Sequence, residues 1–175
     1  KPDRRQRQMC IRDRCKTSLE AEGAQASTSD ISNVDIVVFV TPPHPACGLN
    51  ALDSAKASTD WQRSVEALAE AFGEALPGMR ERGEGRLIWI GPIAAKTLGG
   101  SDDALAVVSG LGALGLVKAI AGEAGPDGVT CNAILYDSQS DPSIEATATF
   151  LASGVSSYLT GAAIAVDGGK NSGVY

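Results

Sequence analysis

Histidine occurs once in the 175 residues, at position 44, and cysteine only four times. Cys10, Cys15, Cys47 and Cys131 fall at no paired metal spacing, so a metal framework is not expected. Cys131 lies inside an apolar, strand-like run, which favours a reduced protein of the cytoplasm over a disulfide scaffold. Long hydrophobic runs are also missing. The longest uncharged helical stretch, Ala104 to Val117, is shorter than the roughly 20 residues a bilayer crossing needs. No signal peptide, internal repeat or convincing linker is visible, which leaves one domain as the expectation.

What is present is a chain 43% hydrophobic, with strand-like and helix-like runs in alternation, the pattern of a soluble α/β domain. Charge is unevenly spread. Residues 1–16 hold seven of the fifteen Lys/Arg and two of the twenty-one Asp/Glu, a net +5 against −11 for the remainder. A basic arm can bind nucleic acid or a membrane surface. Here the acidic body opposes a polyanion, and neither nucleic acid nor membrane is an expected partner. Arg5 to Arg14 resembles translated sequencing-adapter read-through, so residues 1–16 are set apart as a non-native-looking arm and 17–175 as the domain. Residues 17–30 are small and polar and read as a loop or frayed turn.

The centre of the chain runs from Gly85 to Leu135. Arg86 to Ile90 is a short apolar run bounded by glycines, as expected of a strand buried on both faces. Ser101-Asp102-Asp103 makes a helix start, with the serine as cap and the carboxylates against the positive end of the dipole. The helix from Ala104 has no polar face and must be covered on every side, by the sheet and by a second helix, expected from another subunit. Gly125 to Gly128 ends it, and Val129 to Leu135 forms the next strand, completing a βαβ unit. Gly110-Leu111-Gly112-Ala113-Leu114-Gly115 admits two readings. It matches the dinucleotide G-x-G-x-x-G, with Leu105 to Val108 as its strand and Asp137, about twenty residues on, as the ribose acid. Alternatively, all six positions lie within the helix as small residues for close packing.

Elsewhere, Asp35 to Val40 is a strand that leads into Thr41-Pro42-Pro43-His44-Pro45. His44 could act as an acid or base at the carboxyl ends of the strands, but a solvent-facing loop histidine is preferred. From Asp60 a helix of about twenty residues shows one apolar face, Trp61, Val65, Leu68, Phe72, Leu76 and Met79. Pro77-Gly78 should bend or loosen its last turn. Glu66, Glu70 and Glu74 fall on a solvated face. Asp141-Pro142 starts another helix, and Ala162 to Val166 is a fourth strand, closed by Asp167-Gly168-Gly169.

Taken in order, Gly85 to Ile90, Gly115 to Ala121, Gly128 to Ala133, Phe150 to Ser153, Ser157 to Gly161 and Val166 to Gly169 resemble the C-terminal half of the short-chain dehydrogenase/reductase superfamily. This favours the helical reading of the glycine motif. The resemblance implies a Rossmann-like parallel sheet with helices on both faces, reduced to about four strands, without the first βαβ. It implies NAD or NADP as cofactor, with Asp30, Ile31 and Thr41 as its contacts. It also implies an oligomer, homo- or hetero-, through helices 60–80 and 104–121. The superfamily's reaction is hydride transfer between a nicotinamide and a carbonyl or alcohol, served by a tyrosine, a lysine, a serine and an asparagine. Aligned residue by residue, those positions fall on Ala106, Gly110, Pro92 and Leu68. No tyrosine lies between Gly91 and Leu135, and no lysine between Thr97 and Val117, so a small shift restores nothing. Lys118 matches a helix lysine on the outer side. Tyr136 could be a displaced proton donor, though it lacks a partner lysine. The resemblance therefore implies a domain inactive in catalysis, acting in assembly or regulation. The alternative is an oxidoreductase with unconventional groups.

Overall fold

The computed structural model describes residues 13, 15–26, 31–97, 102–137 and 142–169. Their order is a short helix at 15–21 (α1), β1 (Ile36–Val40), α2 (Ser54–Trp61), α3 (Ala67–Arg82), β2 (Gly85–Pro92), α4 (Ala104–Ala124), β3 (Val129–Tyr136), α5 (Pro142–Ala152) and β4 (Ala163–Val166). The strands form one parallel sheet in the order β1-β2-β3-β4. Each parallel neighbour is reached by a helical crossover, as parallel pairing requires. This is the Rossmann-like α/β arrangement expected, with about four strands.

Hydrophobic pattern explains the layers. β2 and β3 are buried almost throughout, because their near-continuous Leu, Ile, Val, Trp and Ala runs meet helices on both faces. On one face Leu87, Trp89, Cys131, Ala133 and Leu135 join Leu68, Phe72 and Met79 of α3 and Ala113, Val117 and Ala121 of α4. On the other, Ile88, Ile90 and Ile134 meet Ile144, Ala148 and Leu151 of α5 and Cys15 of α1. Alternation along each strand assigns its side chains to the two clusters.

Several expectations are corrected. Residues 17–21, expected as a loop or frayed turn, belong to the helix at 15–21. Cys15 is buried there and Ser18 Oγ lies 2.9 Å from Thr149 Oγ1, so α1 crosses the boundary drawn at residue 16. The helix expected from Asp60 begins at Ser54, capped by the Asp53 carboxylate, which accepts from the Lys56 N–H at 2.8 Å. Ser54 to Thr59 is polar or small and shows no apolar period, which is why the first turns are not evident from pattern alone. A π-helical turn, Gln62–Glu66, joins α2 to α3. Pro77 stands inside α3, which continues to Arg82 and ends on Gly83 at φ 74°. The cap of α4 is Asp103, whose Oδ1 accepts from the Ala106 N–H at 3.3 Å; Ser101 lies outside the described residues, as does Asp141 before α5.

α4 runs for 21 residues and ends just before Gly125, where its end was expected. With the turns beyond the uncharged stretch 104–117 included, it is long and apolar enough to cross a membrane by length and composition. Its setting is that of a crossover helix, with Ala113, Val117, Ala121 and Ala124 buried against the sheet. On the opposite side Val108 and Leu111 are about half exposed among the described residues, at 50% and 51%.

Candidate functional site

In a parallel α/β sheet, chemistry gathers beyond the carboxyl ends of the strands. At that edge β1 runs into Thr41 and β2 into the turn Ile93–Lys96, on which the first turns of α4 rest. The four positions aligned with a proton-transfer apparatus are all present in ordered structure. Pro92 closes β2, Ala106 is in the first turn of α4, Gly110 is one turn further on, and Leu68 is in α3. Leu68, Ala106 and Gly110 are buried. None can donate or accept a proton, and each fills space.

The glycine hexad is helical throughout, inside α4. A Cβ at Gly110 would stand 2.9 Å from the Ala95 Cβ, and one at Gly112 would stand 2.6 Å from the Trp61 ring. Two of its three glycines thus allow close packing, and no N-terminal turn is available to hold a pyrophosphate. The sequence expectation of a decoy holds in geometry.

Trp89 fills the same corner. Its indole is fully buried, covers the space a Gly91 Cβ would take, and donates Nε1–H to Thr41 Oγ1 at 2.8 Å. The Thr41 N–H donates to the Ile90 carbonyl at 2.9 Å. Thr41, expected to touch a cofactor, therefore spends its backbone donor on the sheet and receives the indole at its hydroxyl. Ile31 is half-buried ahead of β1, and Asp30 lies outside the described residues. Tyr136, weighed as a displaced donor, packs with the cluster on the opposite face of the sheet from Trp89. Lys118 is exposed, with Nζ 3.3 Å from the Gly161 carbonyl, on the outer side as expected. The residues described do not fit a dinucleotide through the glycine hexad, and no hydride step can be derived from them.

A polar cluster lies beside this corner, and the sequence reading of His44 missed it. The His44 side chain is only 9% exposed. Its Nδ1 donates to the Pro45 carbonyl at 3.0 Å. Nε2 stands 3.8 Å from Asp60 Oδ1 and 3.8 Å from Asp103 Oδ2. Both aspartates are buried. Asp103 Oδ1 also accepts from the Cys47 N–H at 3.2 Å, pinning the loop to the start of α4. Pattern could not reveal this cluster, because Asp60 reads as the first residue of an amphipathic helix and Asp103 as a cap. Burial pushes the Cys131 thiol up to about 12, so it is an inert core group. Among the described residues no group of three His, Cys, Asp or Glu could hold a metal ion.

No family model matches the chain. It is 34% identical over 119 residues to (2S)-[(R)-hydroxy(phenyl)methyl]succinyl-CoA dehydrogenase subunit BbsC of Thauera aromatica, covering 55% of this chain and 47% of that protein. It is 35% identical over 88 residues to 2-keto-3-deoxy-L-fuconate dehydrogenase of Xanthomonas campestris, covering 48% of this chain and 29% of that one. The chain thus spans half or less of the curated relatives it matches. Among solved structures it superposes on a short-chain dehydrogenase/reductase family oxidoreductase from Burkholderia thailandensis with a TM-score of 0.70 at 21% identity, covering 86% of this chain and 76% of that one. Acetoin dehydrogenase YohF of Salmonella typhimurium gives 0.69 at 22%, covering 78% and 64%. In fold and in sequence the chain is similar to the short-chain dehydrogenases/reductases.

Proposed function

We propose that this chain is a short-chain dehydrogenase/reductase-like domain that performs no proton transfer of its own and acts in assembly or regulation, as the partner of a catalytic subunit or domain in the cytoplasm. One observation carries the reading. The four positions where the resemblance places an acid–base apparatus hold Ala106, Gly110, Pro92 and Leu68, and the fully buried Trp89 indole covers the space a Cβ at Gly91 would take. Proton transfer requires a titratable group within hydrogen-bond reach of the reacting atom, and these side chains have none. That the Thauera relative is named as a dehydrogenase subunit supports a role inside a larger assembly.

The docking face would be the outer side of α4 with the end of α2, where Val108, Leu111 and Trp61 are exposed. Contiguous exposed apolar side chains on a regular helix mark association surfaces. Leu111→Glu should convert a dimer or larger species to monomer in size-exclusion chromatography with light scattering. A parent protein that is already monomeric at micromolar concentration overturns this surface.

Two relatives named as dehydrogenases favour the second reading, an NAD- or NADP-dependent oxidoreductase acting on a carbonyl or alcohol through unconventional groups, with Asp30, Ile31 and Thr41 against the cofactor. Incubating the purified protein with both nicotinamide cofactors and a panel of ketones, aldehydes and alcohols separates the two. Absorbance at the reduced-nicotinamide band should stay flat. Steady turnover, abolished by a substitution in this chain, overturns the inactive reading.

A further inference from the structure

β1 is the outer strand of the sheet, and among the described residues no strand lies beyond it. The Arg86 N–H donates to the Asp35 carbonyl and the Thr41 N–H to the Ile90 carbonyl, each at 2.9 Å, so the odd-numbered residues here serve β2. Backbone groups alternate along a strand, which leaves the N–H and C=O of Ile36, Val38 and Val40 on the far side. That open stretch is bounded at both ends. The Val34 carbonyl accepts from an Arg82 guanidinium nitrogen at 2.7 Å, and Pro42 has no N–H to give. Between them lie β-branched residues and one aromatic, in continuous register with β2 and without charge, proline or bulge, the devices that usually protect an edge. Ile36, Val38 and Phe39 are only half-buried, so apolar surface is left on both faces of the strand.

The open groups are symmetric about Val38, and this identifies the occupant. We propose that the edge pairs antiparallel with the same edge of a second copy, about a two-fold axis through Val38. Val38 then faces its own counterpart and Ile36 faces Val40 of the second copy, each pair exchanging both N–H···O bonds. An axis normal to the sheet keeps the helix layers of the two copies on matching faces and makes the interface isologous. A register shifted by two residues would set Ile36 against Pro42, or Val40 against the engaged Val34 carbonyl. Charge supports the symmetric register. Asp35, paired with Arg82 of α3 at 3.4 Å and with its side chain 75% exposed, marks one end of the edge. Arg63, exposed in the turn that leads into α3 and donating to the Pro43 carbonyl at 3.1 Å, marks the other. The two-fold brings the Arg63 end of each copy to the Asp35 end of the other. A five-residue strand pair buries less than the roughly 1,200 Å² of a standard interface, so this is a weak pairing of the high-micromolar range. It forms above the concentration at which the α4 face is tested, and it does not rest on the proposed function.

The test follows amide exchange by NMR in the whole chain from low-micromolar to near-millimolar concentration. The Ile36, Val38 and Val40 amides should gain protection as concentration rises, while Val37, Phe39 and Thr41, already bonded to β2, should not change. In a sample mixing labelled and unlabelled protein, Val37 of one copy should show a nuclear Overhauser contact to Phe39 of the other. Val38→Pro removes an outward N–H and leaves the bonds to β2, so it should weaken self-association at least tenfold with the Thr41 amide still protected. Val38→Cys should form a covalent dimer on mild oxidation, since residues facing each other in such a pair have Cα atoms about 5.5 Å apart, within disulfide range. The parent, with its own cysteines, is the control, and the cysteine variant decides the matter if Val38→Pro fails to fold. Leu111→Glu should leave all of these readings unchanged, which separates the edge from the helix surface. Edge amides that are protected equally at every concentration would mean that the same chain covers them, and would overturn the proposal. So would edge amides that never gain protection, full association by Val38→Pro, or no covalent dimer from Val38→Cys.

Discussion

At the carboxyl ends of β1 and β2, Trp89 and Thr41 fill one corner of the molecule, while His44, Asp60 and Asp103 surround a hollow in the next. The first corner is where the topology puts chemistry in a parallel sheet, and it contains an indole, glycines, an alanine and a proline with their polar atoms satisfied. The second has three buried titratable groups and space beside them. Removing reactive groups from the first corner leaves the sheet and its crossovers intact, because those depend on the apolar faces of α3 and α4. Retaining buried charge in the second works against stability unless something meets it. In the second corner His44 stands between the two aspartates, at 3.8 Å from each, and Asp103 accepts from the Cys47 N–H.

The strongest way to break this contrast is to empty the filled corner. Trp89→Ala removes a fully buried indole and leaves Thr41 Oγ1 without its donor. We expect a loss of about 3–5 kcal/mol in urea unfolding, from lost burial and the cavity together. Such a loss is a large part of a domain's total stability, so a variant that no longer unfolds cooperatively is equally in line. A cost below about 1 kcal/mol would show that the corner is loosely packed and could admit a ligand.

A finer probe separates packing glycines from permissive ones within one helix. Gly110→Ala would place its Cβ 2.9 Å from the Ala95 Cβ, an atom fixed to backbone that cannot swing aside. Overpacking of about 1–3 kcal/mol should outweigh the helix gain of up to ~1 kcal/mol. Gly115→Ala meets nothing within 4 Å on an exposed turn, so it should stabilise by ~0.5–1 kcal/mol. The two substitutions therefore have opposite signs in denaturant midpoint. If both stabilise, the contact between α4 and the turn at Ala95 is not tight, and the case for a closed corner weakens.

What could be read from sequence follows the same division. The filled corner was legible because its evidence is local. The apolar run Arg86 to Ile90, the charge-free stretch from Ala104 and the glycine hexad within it specify a buried strand and a packed helix by neighbours alone. The hollow corner was not legible, since a histidine between prolines reads as an exposed loop residue. Its burial depends on Asp60 and Asp103, which arrive from α2 and α4 only once the sheet is formed. The start of α2 was missed for a related reason. Ser54 to Thr59 carries no apolar stripe, and the only signal was Asp53 three residues before the Lys56 amide it caps. Cys15 shows the same limit, as a single thiol buried under the sheet from a segment with no amphipathic pattern.

The smallest effect probes that helix start, which leads to the hollow corner. The Lys56 N–H bond, then the Lys56 ammonium, hold the Asp53 carboxyl below its ordinary value of 3.8. A carboxylate depressed on folding contributes stability that is fully present above its unfolded value and is lost as pH falls through the lower folded value. The first turn of α2 should therefore loosen below about pH 4, seen as faster amide exchange at Lys56 and Ala57 relative to pH 6. Asp53 is fully exposed and screened, so the change should be modest and fade in high salt. Asp53→Asn keeps a capping oxygen without the charge and should flatten this pH dependence. The Thr41 amide, bonded to Ile90 in the filled corner, should not respond. A matching acid response at Thr41 would mean that the two corners open together, and the contrast between them would then be one of composition and not of independent stability.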